Sequence, residues 1–129
     1  MMAERKYDGF VPGSHQIEAY GSGGFRFAGM SHRGSILALP SGVSAWSVCD
    51  PRDIDVATLK PLFDEPRGGV QFVLIGTGTS MVLLPQSLRH ALRVAGYSVD
   101  VMATRHAIST YNIMLGERRP VAAALVAAP

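Results

Sequence analysis

Apolar and polar residues alternate along the first third of the chain, which predicts β-strands. The alternating runs are separated by glycine-containing breaks, and such breaks are typical of the tight turns that connect antiparallel strands. The stretch 29–34 begins and ends with glycine, so we expect it to be a turn. The pattern therefore predicts a hairpin or a bulged strand from residues 17–20 and 25–28, and a second hairpin from residues 35–39 and 43–46.

A connector with weak helical spacing follows. Val56, Leu59 and Leu62 would share one face of a short helix over residues 54–63. Asp53 is placed to cap that helix, whereas Pro61 is expected to end or kink it.

The C-terminal half has the clearest pattern. Residues 70–75 form a nearly continuous apolar run, which is typical of a strand buried on both faces. Leu84, Leu88 and Leu92 then recur at helical spacing. Gly96 is placed to end this helix in the left-handed conformation.

A second strand, helix and strand complete this half. Residues 97–102 predict a strand, Thr104 is a good N-cap, and residues 105–115 predict a helix. Residues 121–126 predict the last strand. Short links in a β-α-β-α-β unit imply parallel strands with right-handed crossovers, so we predict an α/β fold.

Composition indicates one globular domain. The chain has 129 residues, of which 47% are hydrophobic and 17% charged. We expect residues 1–14 to be a flexible arm and residues 15–129 to be a single α/β domain. The single cysteine, Cys49, excludes an intramolecular disulfide.

The net charge and the hydropathy of the chain limit the classes of partner and the location that we expect. A net charge of +2 does not favour nucleic acid, so we predict no nucleic-acid partner. No apolar stretch approaches the ~20 residues of a membrane span, and the N-terminus lacks the apolar core of a secretory signal. These observations predict a cytoplasmic protein without a membrane span.

The glycine-rich loop after residues 70–75 does not match a nucleotide motif. A dinucleotide fingerprint needs a third glycine where Met81 stands. A P-loop needs a lysine after its glycines, and no lysine follows Lys60. The four histidines lack metal-ligand spacing, and no catalytic constellation is evident. We therefore predict no cofactor, no metal and no enzymatic activity.

Hydroxyl groups and glycines nonetheless converge where two parallel strands are expected to end. Ligands of open parallel sheets bind beyond these carboxyl ends, and a helix N-terminus there favours anions. One hypothesis is a crevice for a small anion or metabolite, or the site of an unrecognised enzyme. The alternative is structural, with a tight turn at the glycines and Thr104 capping its helix. The candidate crevice residues are Gly76, Thr77, Gly78, Thr79, Ser80, Thr104, Arg105 and His106.

Two further groups have alternative interpretations. Glu117, Arg118 and Arg119 would either dock a partner or form a solvated turn with a local ion pair. Thr110 and Asn112 would hydrogen-bond a neighbouring loop, whereas Tyr111 belongs to the apolar stripe of its helix. The candidate partner-docking or family-defining residues are therefore Thr110, Tyr111, Asn112, Glu117 and Arg119.

The C-terminal motif resembles a known family. It reads Met102-x-Thr104-x-x-Ala107-x-x-Thr110-Tyr111-Asn112-x-x-Leu115-x-Glu117-x-Arg119-x-Val121-x-Ala123-x-Leu125. It is similar to the C-terminal part of a small-domain family of unknown function that includes mitochondrial respiratory complex I assembly factor 3. Segments 21–27, 70–78 and 84–96 also resemble that family, so the likeness covers about residues 17–126.

The resemblance implies a fold and a class of function. The fold is a three-layer α/β arrangement with a central mixed five-stranded sheet and additional N-terminal β-hairpins packed on one side. The implied function is a non-catalytic interaction or assembly protein with protein partners, for which respiratory-chain subunits are the candidates.

Overall fold

The computed structural model describes residues 9–129, in which strands predominate and the helices lie mainly in the C-terminal half. The strands are β1 (Phe10–Pro12), β2 (Ile17–Gly21), β3 (Gly24–Phe27), β4 (Met30–Arg33), β5 (Ser35–Leu39), β6 (Gly42–Trp46), β7 (Phe72–Gly76), β8 (Ser98–Met102) and β9 (Val121–Leu125). The α-helices are α1 (Lys60–Phe63), α2 (Gln86–Val94) and α3 (Thr104–Gly116), and residues Pro51–Asp53 form a 3-10 turn.

The central sheet has the strand order β1-β6-β5-β9-β7-β8. β7 pairs in parallel with β8 on one side and with β9 on the other, which confirms the predicted parallel unit. β9 pairs antiparallel with β5, so the sheet is mixed, as predicted. It has six strands and not five, because β1 adds to the edge through β6, with Val11 opposite Val43.

Two apolar cores flank this sheet and make the fold three-layered. Leu88 and Leu92 of α2 pack on one face, together with side chains such as Ile75 of β7. Ala107 and Tyr111 of α3 pack on the other face. Because side chains alternate along a strand, β7 and β9 supply buried residues to both cores, as strands enclosed between helices do.

A three-stranded antiparallel sheet, β2-β3-β4, closes the α3 side. Its inner face carries Phe25 and Phe27, both buried in the same core as α3. The hairpin of β2 and β3 is confirmed, but the prediction of a turn over residues 29–34 is wrong. Residues 28 and 29 alone turn the chain with positive φ angles, and β4 then pairs with β3.

The second predicted hairpin is confirmed as β5 and β6, although it lies within the central sheet. The connector differs from the prediction. Asp50, not Asp53, caps a 3-10 turn by accepting a bond of 2.9 Å from the Arg52 amide, and the regular helix is only Lys60–Phe63. The exposed Val56 lies outside that helix, whereas Leu59 and Leu62 are buried.

The predicted end of α2 agrees with the structure. Gly96 follows α2 with a φ of 94°, as expected of a residue that ends a helix. Residues 1–8 of the expected arm lie outside the described residues, and residues 10–12 of that segment form β1.

Helix α3 begins unusually close to β7. A Cβ atom added to Gly76 would lie 2.8 Å from the Cα of Thr104 and 2.9 Å from its Oγ1. Such distances are shorter than van der Waals contact, and backbone atoms cannot move away cheaply. Only glycine at this position allows the helix and the strand to meet.

We expect Gly76→Ala to destabilise the protein by about 1–3 kcal/mol, because overpacking forces the helix away from the strand. Gly116→Ala is the matched control, since its added Cβ would meet only the Gln16 side chain, at 3.6 Å. That change should be neutral or stabilising by up to about 1 kcal/mol, because alanine is the better helix former. Urea unfolding would measure the unfolding free energy of both variants. Equal changes in the two variants would contradict the close approach of α3 to β7.

Candidate functional site

Within the hypothesised crevice, the Thr104 side chain is bonded to the protein itself. Its hydroxyl accepts a bond of 2.8 Å from the Gly78 amide and donates one of 2.7 Å to the Val126 carbonyl. Thr104 is completely buried. The hydroxyl therefore joins the loop after β7 to the residue that follows β9, across the gap where a ligand was expected.

This contact corrects the prediction that Thr104 caps its helix. Thr104 is the first residue of α3, and the N-cap residue is Ala103, which supplies no side-chain bond. Gly78 has a φ of 96°, which orients its amide toward Thr104 and which residues other than glycine rarely adopt. Both hydrogen-bonding directions of the hydroxyl are used inside the protein.

Thr77 is also buried, and its hydroxyl is also used internally. It lies 2.7 Å from the Ser80 carbonyl and accepts a bond of 3.0 Å from the Val82 amide. These bonds close the loop that leads into α2. Gly76, Thr77, Gly78 and Thr104 are thus all buried, so their polar groups hold the loops together.

The other four crevice residues are exposed. Thr79 and Ser80 lie on the loop after β7, and Arg105 and His106 lie in the first turn of α3. Arg105 donates a long bond of 3.4 Å to the Thr79 carbonyl. The structure therefore brings these side chains to one end of the sheet, but as an outer rim around an interior that Thr104 occupies.

Asn112 connects α3 to the small sheet. Its Oδ1 accepts a bond of 2.8 Å from the Ile17 amide, and its Nδ2 donates one of 2.8 Å to the Ile17 carbonyl. The amide side chain thus pairs with the backbone of β2 as a neighbouring strand would. Asn112 therefore satisfies backbone groups of a buried residue, which would otherwise lose hydrogen bonds on folding.

The neighbouring motif residues have different surroundings. Tyr111 is buried, and burial raises the pKa of its phenol to about 12. Its hydroxyl has no hydrogen-bond partner within residues 9–129. The Thr110 hydroxyl lies 4.0 Å from the sulfur of Met102, so this side of α3 faces β8.

Glu117 and Arg119 form an exposed ion pair of 3.7 Å at the opposite end of the sheet from the crevice. The Arg119 guanidinium also lies 4.7 Å from the centre of the Phe72 ring, which is a cation–π contact. An exposed pair of this kind contributes at most about 1 kcal/mol.

The outer edge of β8 is open, and the sequence patterns do not indicate this. The Ser98 amide bonds the Gln71 carbonyl, and the Met102 carbonyl accepts from the Thr77 amide. Backbone groups in a strand alternate in direction, so those of Val99 and Val101 point away from β7. Within the described residues, no hydrogen bond satisfies these outward groups.

Asp100 lies between these two valines. It is exposed and shares the α3 face of the strand with Ser98 and Met102. It forms no ion pair with any residue that the structure describes.

Within residues 9–129, no three His, Cys, Asp or Glu side chains come together as a metal site. None of the helices in that part of the chain has both the length and the apolar character needed to cross a bilayer.

Comparison with known proteins places these features in context. A family model described as "Protein of unknown function (DUF498/DUF598)" matches residues 17–126. Human NADH dehydrogenase [ubiquinone] 1 alpha subcomplex assembly factor 3 is 35% identical over 115 residues, which are 88% of this chain and 61% of that protein. The chain thus spans about three fifths of that relative's length.

Solved bacterial structures are also similar. A Rhodopseudomonas palustris protein determined by NMR has a TM-score of 0.83 and 48% identity, and the match covers 99% of this chain and 94% of that one. A Bartonella henselae chain described as an outer membrane protein has a TM-score of 0.82 and 42% identity, with coverage of 92% and 98%.

We expect Thr104→Val to destabilise the protein by about 2–4 kcal/mol, because the buried Gly78 amide and Val126 carbonyl each lose a partner. Thr104→Ser keeps the hydroxyl and loses only a methyl group, so it should cost about 1 kcal/mol. Chemical unfolding would compare them. A loss for Thr104→Val no larger than that for Thr104→Ser would contradict the importance of the hydroxyl bonds.

We expect Asn112→Ala to cost about 2–3 kcal/mol in unfolding free energy, since the backbone groups of Ile17 lose both partners. Ser109→Ala, on the exposed side of the same helix, serves as the control and should change stability by less than about 0.5 kcal/mol. Faster hydrogen exchange of the Ile17 amide in the Asn112 variant would locate the effect. An unchanged exchange rate would argue against this bridge.

Proposed function

Because the chain belongs to the DUF498/DUF598 family of proteins of unknown function, we propose that it is a non-catalytic interaction protein that acts in assembly. The match over residues 17–126 confirms the resemblance that the C-terminal motif indicates. A role in assembly is supported by the human relative, whose name is that of an assembly factor for an NADH dehydrogenase. Respiratory-chain subunits are the partners that this relationship favours.

The single structural observation behind the proposal is the open edge of β8. The outward amide and carbonyl groups of Val99 and Val101 offer four hydrogen bonds to an added strand. Both valine side chains pack into the α2 core, so the edge is held in place before any partner arrives. A pre-ordered edge reduces the entropy that binding must overcome.

Asp100 indicates the chemistry of the partner. In a symmetric antiparallel pair of two β8 strands, Val99 would face Val101 and the two Asp100 carboxylates would face each other. Like charges directly opposite across strands are destabilising. A second copy is therefore disfavoured, and we infer that the partner is an extended segment of another protein with lysine or arginine opposite Asp100.

The alternative of a ligand crevice or an unrecognised enzyme has less support. It relied on hydroxyls of Thr77 and Thr104, which are both bonded within the protein. The exposed rim of Thr79, Ser80, Arg105 and His106 remains, without a buried polar group directed at it. The cytoplasmic location also remains a prediction, and the likeness to the Bartonella henselae chain is a reason to test it by cell fractionation.

Photo-crosslinking in the native host would test the proposal. A photoreactive residue in place of Ser98 should crosslink to a defined partner, because this side chain lies beside the open edge. The same residue in place of Ser31, on the small sheet, serves as the position control. We expect respiratory-chain subunits to be crosslinked from position 98 only.

A charge change makes the test sharper. Asp100→Lys should reduce the crosslinked fraction about tenfold, because it replaces an attraction to the partner with repulsion. Asp53→Lys makes the same charge change at another exposed site and should have no effect. Two results would contradict the proposal that a partner binds along the β8 edge: equal crosslink yields from positions 98 and 31, or a yield from position 98 that Asp100→Lys leaves unchanged.

A further inference from the structure

The outer face of the small sheet carries two arginines that point to the same side. Arg26 of β3 is opposite Ser31 of β4, and Arg33 is opposite Gly24. The arginines are therefore diagonal neighbours on one face, with Cβ atoms roughly 7–8 Å apart. Phe25, between Gly24 and Arg26 in the chain, is buried on the other face.

A depression of about 550 Å³ lies at this face. Its lining includes both arginines together with small residues such as Gly21 and Ser31. Gly24 cannot carry a side chain, because an added Cβ would lie 2.3 Å from the His32 carbonyl oxygen. Residue 24, opposite Arg33, therefore places no side chain in the depression, whose volume is that of a small-molecule site.

The charges in the depression are not neutralised. Arg33 is exposed and forms no hydrogen bond or ion pair with any residue in the range 9–129. Arg26 has only long contacts, of 3.5 Å from its Nε to Glu18 and of 3.4 Å from its NH1 to the Ser31 hydroxyl. One carboxylate therefore faces two guanidinium groups, and the depression has a net positive charge.

We propose that this depression binds the phosphate group of a small metabolite. Two guanidinium groups present the planar, forked donors that recognise phosphate oxygens, and the Ser31 hydroxyl adds a further donor. A phosphate group has three terminal oxygens that can accept from both guanidinium groups at once, whereas the two oxygens of a carboxylate suit a single guanidinium fork. The proposal is independent of the assembly role, because this sheet packs on the opposite face of the central sheet from the α2 core and does not include β8.

The site differs from the anion crevice expected at the carboxyl ends of the parallel strands. There the buried hydroxyls are already bonded to the backbone, whereas here the donors are free or only loosely paired. A single titration can distinguish the two places, since residues 76–80 and 104–106 belong to one and residues 20–33 to the other.

The experiment is chemical-shift mapping of the ¹⁵N-labelled full chain with inorganic phosphate and then with glycerol 3-phosphate, at constant ionic strength. We expect shifts that saturate and that cluster within residues 20–33. Arg33→Gln and Arg26→Gln should each weaken binding about tenfold or more, as loss of a charge-assisted bond does. Glu18→Gln should strengthen binding about threefold, because it removes the competing carboxylate.

Arg89→Gln, an exposed arginine of α2, is the control and should leave the affinity unchanged. Tighter binding of glycerol 3-phosphate than of inorganic phosphate would identify an ester as the ligand, and equal binding would identify free phosphate. The proposal is overturned if the shifts cluster at residues 76–80 and 104–106, if no site saturates, or if Arg33→Gln binds as the original chain does. The unfolded fraction of each variant, read from the same spectra, shows whether a loss of binding reflects a loss of fold.

Discussion

The start of α3 against β7 is the contact on which the rest of the structure depends. Gly76 admits the helix, and the Thr104 hydroxyl then satisfies one amide and one carbonyl from two different loops. A buried hydroxyl with both bonds made contributes to stability, whereas the same backbone groups left alone would cost about 1–3 kcal/mol each. This small cluster therefore holds β7, α3 and the end of β9 in one arrangement.

The placement of the strands follows from that arrangement. β7 has β8 on one side and β9 on the other, because the two crossover helices lie on opposite faces of the sheet. This topology usually leaves a ligand crevice at the strand ends. Here the buried hydroxyls of Thr77 and Thr104 are bonded within the protein, and further available groups lie along the edge of β8 and on the outer face of the small sheet.

These two surfaces differ in what they offer. The β8 edge presents backbone groups and one negative charge, which suits an extended segment of a protein. The small sheet presents two guanidinium groups over a glycine floor, which suits a compact anion. They lie on different elements, so the two proposed sites share no residues.

The local pattern of the sequence by itself determined much of the fold. The continuous apolar run of β7, the stripe of α2 and the glycine after it predicted these elements nearly to their ends, because period and chain-breaking residues are local properties. The β4 strand was missed, since its glycine-flanked residues acquire extended structure only by pairing with β3. Likewise, the sequence predicted that Thr104 caps a helix, but not that Thr104 is the first residue of that helix or that its hydroxyl bonds Gly78 and Val126. Only the tertiary structure decided that the edge of β8 is open at Val99 and Val101 and that Arg26 and Arg33 are diagonal neighbours on one face. Both features depend on which strands lie side by side, and the periodic pattern of a sequence does not specify which strands become neighbours.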